Sequence, residues 1–219
     1  MIKLEPVLIT ERGADIYKVR IKTDYKDVLG ARNNSLKNAQ PSATPIDLSI
    51  QPNGKVETAN CYIVSAGGEY MFPAVYGNAK KDGKTNTAAY KPGGAGGNVL
   101  AQFFHGTGKI TEPDITAGDK VEVLWQSTPG LVTAAGVTKS SGKNRFVKFR
   151  VDQKKMCEAS AIIALKKGNT ICWSWHIWIT APEVATTNSG YFMREPLGFR
   201  HTKWWKTTYD TDRKVTVIF

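Results

Sequence analysis

Cysteine is scarce in this chain: Cys61, Cys157 and Cys172 are the only three in 219 residues. An odd count excludes a fully paired disulfide framework within one chain. No CxxC or HxxxH spacing occurs, so no zinc site and no other metal centre is expected. Histidine is equally sparse, with His105, His176 and His201 in three different settings. The GxSxG elbow and the HExxH motif are both missing, which removes two common hydrolase signatures. No run approaches the roughly 18 apolar residues of a membrane span. The opening MIKLEPVLITERG is neither a signal peptide nor a lipobox. Together with the apolar KVTVIF at the other end, it reads as a boundary inside a larger protein. Helical periodicity is nearly absent.

What the chain does have is apolar and basic residues. Hydrophobic types make up 41% of it, enough for a sizeable core in one domain with flanking elements. The formal net charge of +11 is spread along the sequence rather than packed in a block. Such a surface is soluble and can attract acidic partners; nucleic acid is not the expected one.

Short β-branched and aromatic runs bounded by Gly, Pro, Asn and Asp predict an all-β chain. IYKVRIKT (16–23) alternates apolar and basic residues, as a half-buried strand does. The polar stretch 32–55 reads as a linker. CYIVSA and EYMFPAV flank Gly67-Gly68 and predict a hairpin. VEVLWQ (121–126), LVTAAGVT (131–138) and RFVKFRV (145–151) are further strands. ASAIIALK and TICWSWHIWIT flank Gly168-Asn169 and predict a second hairpin, with Cys172 opposite Leu165 and Cys157 opposite Thr180. That register disfavours a Cys157–Cys172 disulfide, whose Cα atoms would have to lie within about 7 Å. The expected fold is an immunoglobulin-like β-sandwich with long irregular loops and flanking strands. Its parts are an N-terminal strand and polar linker (1–54), the sandwich (55–182) and a C-terminal aromatic-basic segment with a terminal strand (183–219).

Several stretches could carry chemistry. GVTKSSGKN (136–144) resembles a phosphate loop, but its first glycine is misplaced and Asn144 stands where a Ser or Thr would hold magnesium. KPGGAGGN (91–98) leads into no helix, so both read as flexible glycine loops and no cofactor is expected. Glu112 and Asp114 flank Pro113 and read as a turn rather than a carboxylate pair. Asn33-Asn34-Ser35 is a glycosylation sequon by pattern alone. FRHTKWWKT (199–207) interleaves Arg200, Lys203 and Lys206 with Phe199, Trp204 and Trp205. Aromatic rings stack on bases or on the apolar faces of sugars. Trp204, Trp205, Tyr209, Arg200 and Lys203 are therefore candidate ligand contacts.

WSWHIWIT (173–180) splits by alternation. Ile171, Trp173, Trp175, Ile177 and Ile179 share one apolar face, expected in the core. Cys172, Ser174, His176, Trp178 and Thr180 share the other. On that mixed face Trp178 is the remaining aromatic candidate for ligand contact, and His176 reads as a hydrogen-bonded structural residue.

TANCYIVSAGGEYMFPAVYGNA (58–79), VLWQ (123–126), FVKFRV (146–151) and ICWSWHIWIT (171–180) follow one another in this order. Together they resemble fimbrillin-like or secreted immunoglobulin-like surface proteins of Bacteroidetes. The resemblance covers about residues 55–180, with 17–30 and 197–215 similar to the family's flanks. It implies a non-enzymatic adhesin or fimbrial subunit on the cell surface, partnered by other copies or subunits of an assembly. Host or dietary glycans are the alternative partner, as for a carbohydrate-binding module. A head-fibre or decoration protein on the virion of a phage infecting such bacteria is a further alternative, because a virion protein needs no export signal. The end strands KLEPVLIT and RKVTVIF either complement a neighbouring subunit or pair within the chain.

Overall fold

The computed structural model describes residues 2–11, 14–23, 27–93, 101–105, 108–182, 192–193, 195–201 and 213–218. The first strands in chain order are β1 (Ile2–Glu11), β2 (Ala14–Thr23), β3 (Ile46–Asp47), β4 (Cys61–Val64), β5 (Gly68–Pro73), β6 (Lys80–Lys81), β7 (Lys84–Thr85) and β8 (Phe104–His105). They are followed by β9 (Gly108–Lys109), β10 (Lys120–Gln126), β11 (Val132–Val137), β12 (Phe146–Val151), β13 (Ala159–Lys167), β14 (Thr170–Ile179) and β15 (Arg213–Ile218). Among the described residues one α-helix, α1, spans Val28–Asn38. The chain is therefore β-rich, as the turn-bounded runs predict.

It divides into two units. The first comprises Met1–Ala31 and His201–Phe219, and the second Arg32–Arg200. In the first unit both end strands pair antiparallel with β2, giving the order β1-β2-β15. KLEPVLIT and RKVTVIF thus find a partner within the chain.

The second unit is built on two mixed four-stranded sheets, β10-β13-β14-β4 and β11-β12-β5-β3. Period-two alternation sorts their side chains. In β12, Val147, Phe149 and Val151 are buried while Lys148 and Arg150 face outward. Opposite them in β5, Tyr70 and Phe72 are buried, and Glu69 pairs with Arg150 at 2.6 Å. From the other sheet, β13 contributes Ala161, Ile163 and Leu165, and β14 contributes Trp175, Ile177 and Ile179. Across this pair Ile163 faces Trp175 and Ala161 faces Ile177, all four fully or almost fully buried, as a close-packed core requires. The two sheets meet through rings: Phe72 lies 5.0 Å from Trp175 and stacks on Tyr62 at 4.6 Å.

Three expectations need correction. CYIVSA and EYMFPAV do not form a hairpin. β4 joins β14 in parallel, whereas β5 joins β12 and β3 in the other sheet. Gly67-Gly68 is a crossover between sheets, and burial explains it: Tyr62 on β4 and Phe72 on β5 point into the same core from opposite sides. Gly67 is pressed against Gln153, where an added Cβ would sit 2.6 Å from its backbone.

The polar stretch 32–55 is not a plain linker. It starts within α1 and goes on to β3 and the Ile50–Val56 bridge. Asp27 Oδ1 accepts the Gly30 N–H at 2.8 Å, an N-cap bond at the start of the helix. At its end, Gln153 donates to the carbonyls of Leu36 and Lys37 while accepting the Gly67 N–H. One side chain thus ties a helix terminus to the crossover.

The β13–β14 register slips by one. Leu165 faces Trp173 and Lys166 faces Ile171, so Cys172 is the extra residue of a β-bulge and Cys157 lies outside the pairing. All three cysteines are free.

The ring cluster yields the first prediction. Phe72→Ala removes the contact to Tyr62, Phe149 and Trp175 together, and should lower the unfolding free energy by about 3–5 kcal/mol. Glu69→Ala, on the exposed face of the same strand, should cost under about 1 kcal/mol. Urea unfolding followed by tryptophan fluorescence measures both.

Candidate functional site

Alternation along β14 places its residues, and the bulge edits the result. Trp175, Ile177 and Ile179 are buried on the core face, as read from the sequence. Trp173 is half-buried, edge-on to Tyr76 at 5.2 Å, and donates its indole N–H to Asn60 Oδ1 at 3.0 Å. Ile171 departs from that face and is 45% exposed. The extra residue Cys172 reverses the alternation, and Ile171 then shares the face of Lys166 opposite it.

On the outer face, Trp178 is the main correction. It was the aromatic expected to be free for ligand, yet it is 0% exposed. Its indole N–H donates to the Phe199 carbonyl at 3.0 Å, so the segment 195–200 covers it. Gly198 makes that cover possible. Its φ of 79° suits glycine, and an added Cβ would lie 2.7 Å from His176 Cε1.

The cover is anchored by charge. Arg32 on α1 donates its Nε–H to the fully buried carboxylate of Glu158, and donates to Thr180 Oγ1 at 2.9 Å. It also pairs with Glu195 at 3.5 Å. Asn33 Oδ1 accepts the Glu158 backbone N–H at 2.8 Å. A carboxylate buried this deeply needs such partners, because desolvation penalises the charged form. None of Arg32, Glu158 and Glu195 is a residue that motif reading would single out. Each belongs to a different stretch, and only the fold brings them together.

Under the same cover, three strands assemble a polar row. Cys61 on β4 lies 3.3 Å from His176 Nδ1, and His176 Nε2 lies 3.0 Å from Ser160 Oγ on β13. With Nε2–H donating to Ser160, Nδ1 is left to accept from the thiol, so one neutral tautomer satisfies both bonds. Burial sets the electrostatics. It pushes the Cys61 thiol up to about 11 and pushes the His176 imidazole below its ordinary value. A reactive cysteine needs the reverse, a thiolate stabilised by an imidazolium. At neutral pH this arrangement holds two strands together by a neutral hydrogen bond.

Of the other sequence candidates, Arg200 is exposed. Lys203, Trp204, Trp205 and Tyr209 lie outside the described residues. The tryptophan most open to solvent among the described residues is Trp125, 55% exposed on edge strand β10 opposite Ile162. Sequence reading passed over it because VEVLWQ looks like an ordinary strand. A bulge between Val123 and Trp125 moves the ring to the outer face. No helix is long and apolar enough to cross a membrane among the described residues. No family model matches the chain, and neither the curated proteins nor the solved structures give a significant match.

Two predictions follow from the covered face. Arg32→Leu leaves Glu158 without its guanidinium and should cost about 3–5 kcal/mol in urea unfolding. The Cys61–His176 pair should shape the pH dependence of stability. The folded imidazole binds its proton less readily than an unfolded histidine near 6.5, so its contribution is intact above pH 6.5 and is lost as pH falls below it. The thiol ionises near 11 when folded against 9.0 ordinarily, so its contribution is full below pH 9 and is lost as pH rises towards 11. His176→Gln should flatten the acid limb of the urea midpoint, and Cys61→Ser the alkaline limb.

Proposed function

We propose that the protein is a non-enzymatic structural or adhesive component of a bacterial cell-surface assembly. In this reading its second unit is an immunoglobulin-like β-sandwich, and it works through contacts with other copies or subunits. The observation that carries the proposal is the three-stranded terminal sheet. Its outer strands β1 and β15 each pair on one side only among the described residues. Each therefore has a row of backbone N–H and C=O groups available to a strand from another copy.

Two further points support this reading. The half-buried thiol–imidazole pair is held in its neutral form, which fits a structural role better than catalysis. The order of the TANCYIVSAGGEYMFPAVYGNA and ICWSWHIWIT stretches resembles fimbrillin-like surface proteins, which would place the chain outside the cell.

Light scattering on the full chain should give a mass above that of the monomer. Lysines placed on the two edges, Val7→Lys and Thr216→Lys, should return it to the monomer with tryptophan fluorescence unchanged. A wild-type chain that stays monomeric, or a doubly substituted chain that assembles as before, rejects the proposal.

A further inference from the structure

Beside the bulge of β14 lies a pocket of about 400 Å³, outside the covered face. The run Lys109–Ala117 forms much of its wall, completed by Tyr76, Lys143 and Cys172. That volume falls in the range of small-molecule sites. Thr111 and Thr116 add exposed polar lining, while Ile110 and Ile115 behind them are turned into the core.

Its charges are arranged unequally. Both acids are already countered: Glu112 pairs with Lys143, and Asp114 pairs with Lys80 at 3.1 Å. Two cations have no such partner among the described residues. Lys109 stands exposed at the pocket, in no ion pair. Arg145 is 2% exposed and is held by backbone carbonyls alone, at Thr116 (3.2 Å), Ala117 (3.0 Å) and Ser140 (3.0 Å). Among the described residues its Nε–H finds no acceptor. Asp119 acts on it through space without forming an ion pair. Two of its three carbonyl acceptors belong to the pocket wall, so a buried positive charge stands against that wall. In a low-dielectric setting its field reaches the space in front.

A ligand for this space needs two features. It needs one negative charge, to meet Lys109 and the field of Arg145. It also needs hydroxyl donors, because Glu112 and Asp114 accept hydrogen bonds and retain oxygen lone pairs beyond their lysines. A multiply charged phosphate would be repelled by those same carboxylates. We propose that the pocket binds an acidic monosaccharide: its carboxylate meets Lys109, and its hydroxyls meet Glu112 and Asp114. This gives the surface protein a glycan-binding site in its second unit, independent of the edge strands on which assembly depends.

Cys172 supplies a local readout, since it lines the pocket and is only partly buried. The full chain is titrated by calorimetry with sodium glucuronate, glucose and sodium acetate. Glucuronate should bind saturably, with glucose and acetate weaker by about tenfold or more, the worth of one charge-assisted hydrogen bond. Lys109→Glu, on an exposed side chain, should weaken glucuronate by a similar factor. Glucuronate should also slow maleimide labelling of Cys172 relative to Cys61 and Cys157, read by peptide mass spectrometry. Absence of saturable binding, equal affinity for acetate, full affinity in Lys109→Glu, or unprotected Cys172 would each overturn the site. Light scattering of the same samples keeps the two proposals separate, because lost binding with intact assembly rejects the pocket alone.

Discussion

Trp175 and Trp178 lie close together on β14, yet their rings bury on opposite sides of one sheet. Trp175 meets Phe72 across the core, and Trp178 is capped by the Phe199 carbonyl. Burial of both faces makes β14 the strand on which the second unit depends. Its core face joins the two sheets through aromatic rings. Its outer face recruits a chain segment from beyond the strand as cover. The hydrogen bonds of His176, Trp178 and Thr180 follow from that cover, because polar groups removed from water must find partners inside.

The same logic governs the buried charges of a basic protein. Arg32 has a fully buried carboxylate to pair with, and this fixes α1 and the covering segment to the sheet. Arg145 has only carbonyls, and its charge is left standing behind the pocket wall. One guanidinium is spent on cohesion, and the other biases a cavity towards anions. Net charge alone, spread over the whole chain, distinguishes neither role.

Much of the fold was legible in the residues. Alternation in Trp175–Ile179 named the core face of Trp175, Ile177 and Ile179, because side chains in a strand alternate whatever the strand pairs with. Gly168-Asn169 was legible as a hairpin because both flanking strands belong to one sheet. Gly67-Gly68 carried the same signal and means something else, since a glycine pair permits a tight turn without saying which sheet receives the next strand. The helix at 28–38 was missed because its residues are polar and show no apolar stripe; the Asp27 cap was its one local sign. Bulges at Cys172 and at Leu124 reversed two local faces, sending Ile171 and Trp125 outward.

The sequence by itself determined the β class, the alternation of the main strands and the lack of a disulfide framework. Each rests on local residue identity or on counting. Only the tertiary structure decided that Trp178 is covered, that Cys61, His176 and Ser160 share one row, and that Arg145 stands behind a pocket. Those facts depend on strand order, on single-residue register shifts and on a segment folded back from residues 195–200. Such contacts join positions more than a hundred residues apart in the case of Arg32 and Glu158. No local pattern encodes them, because the energy that selects them belongs to the packed whole.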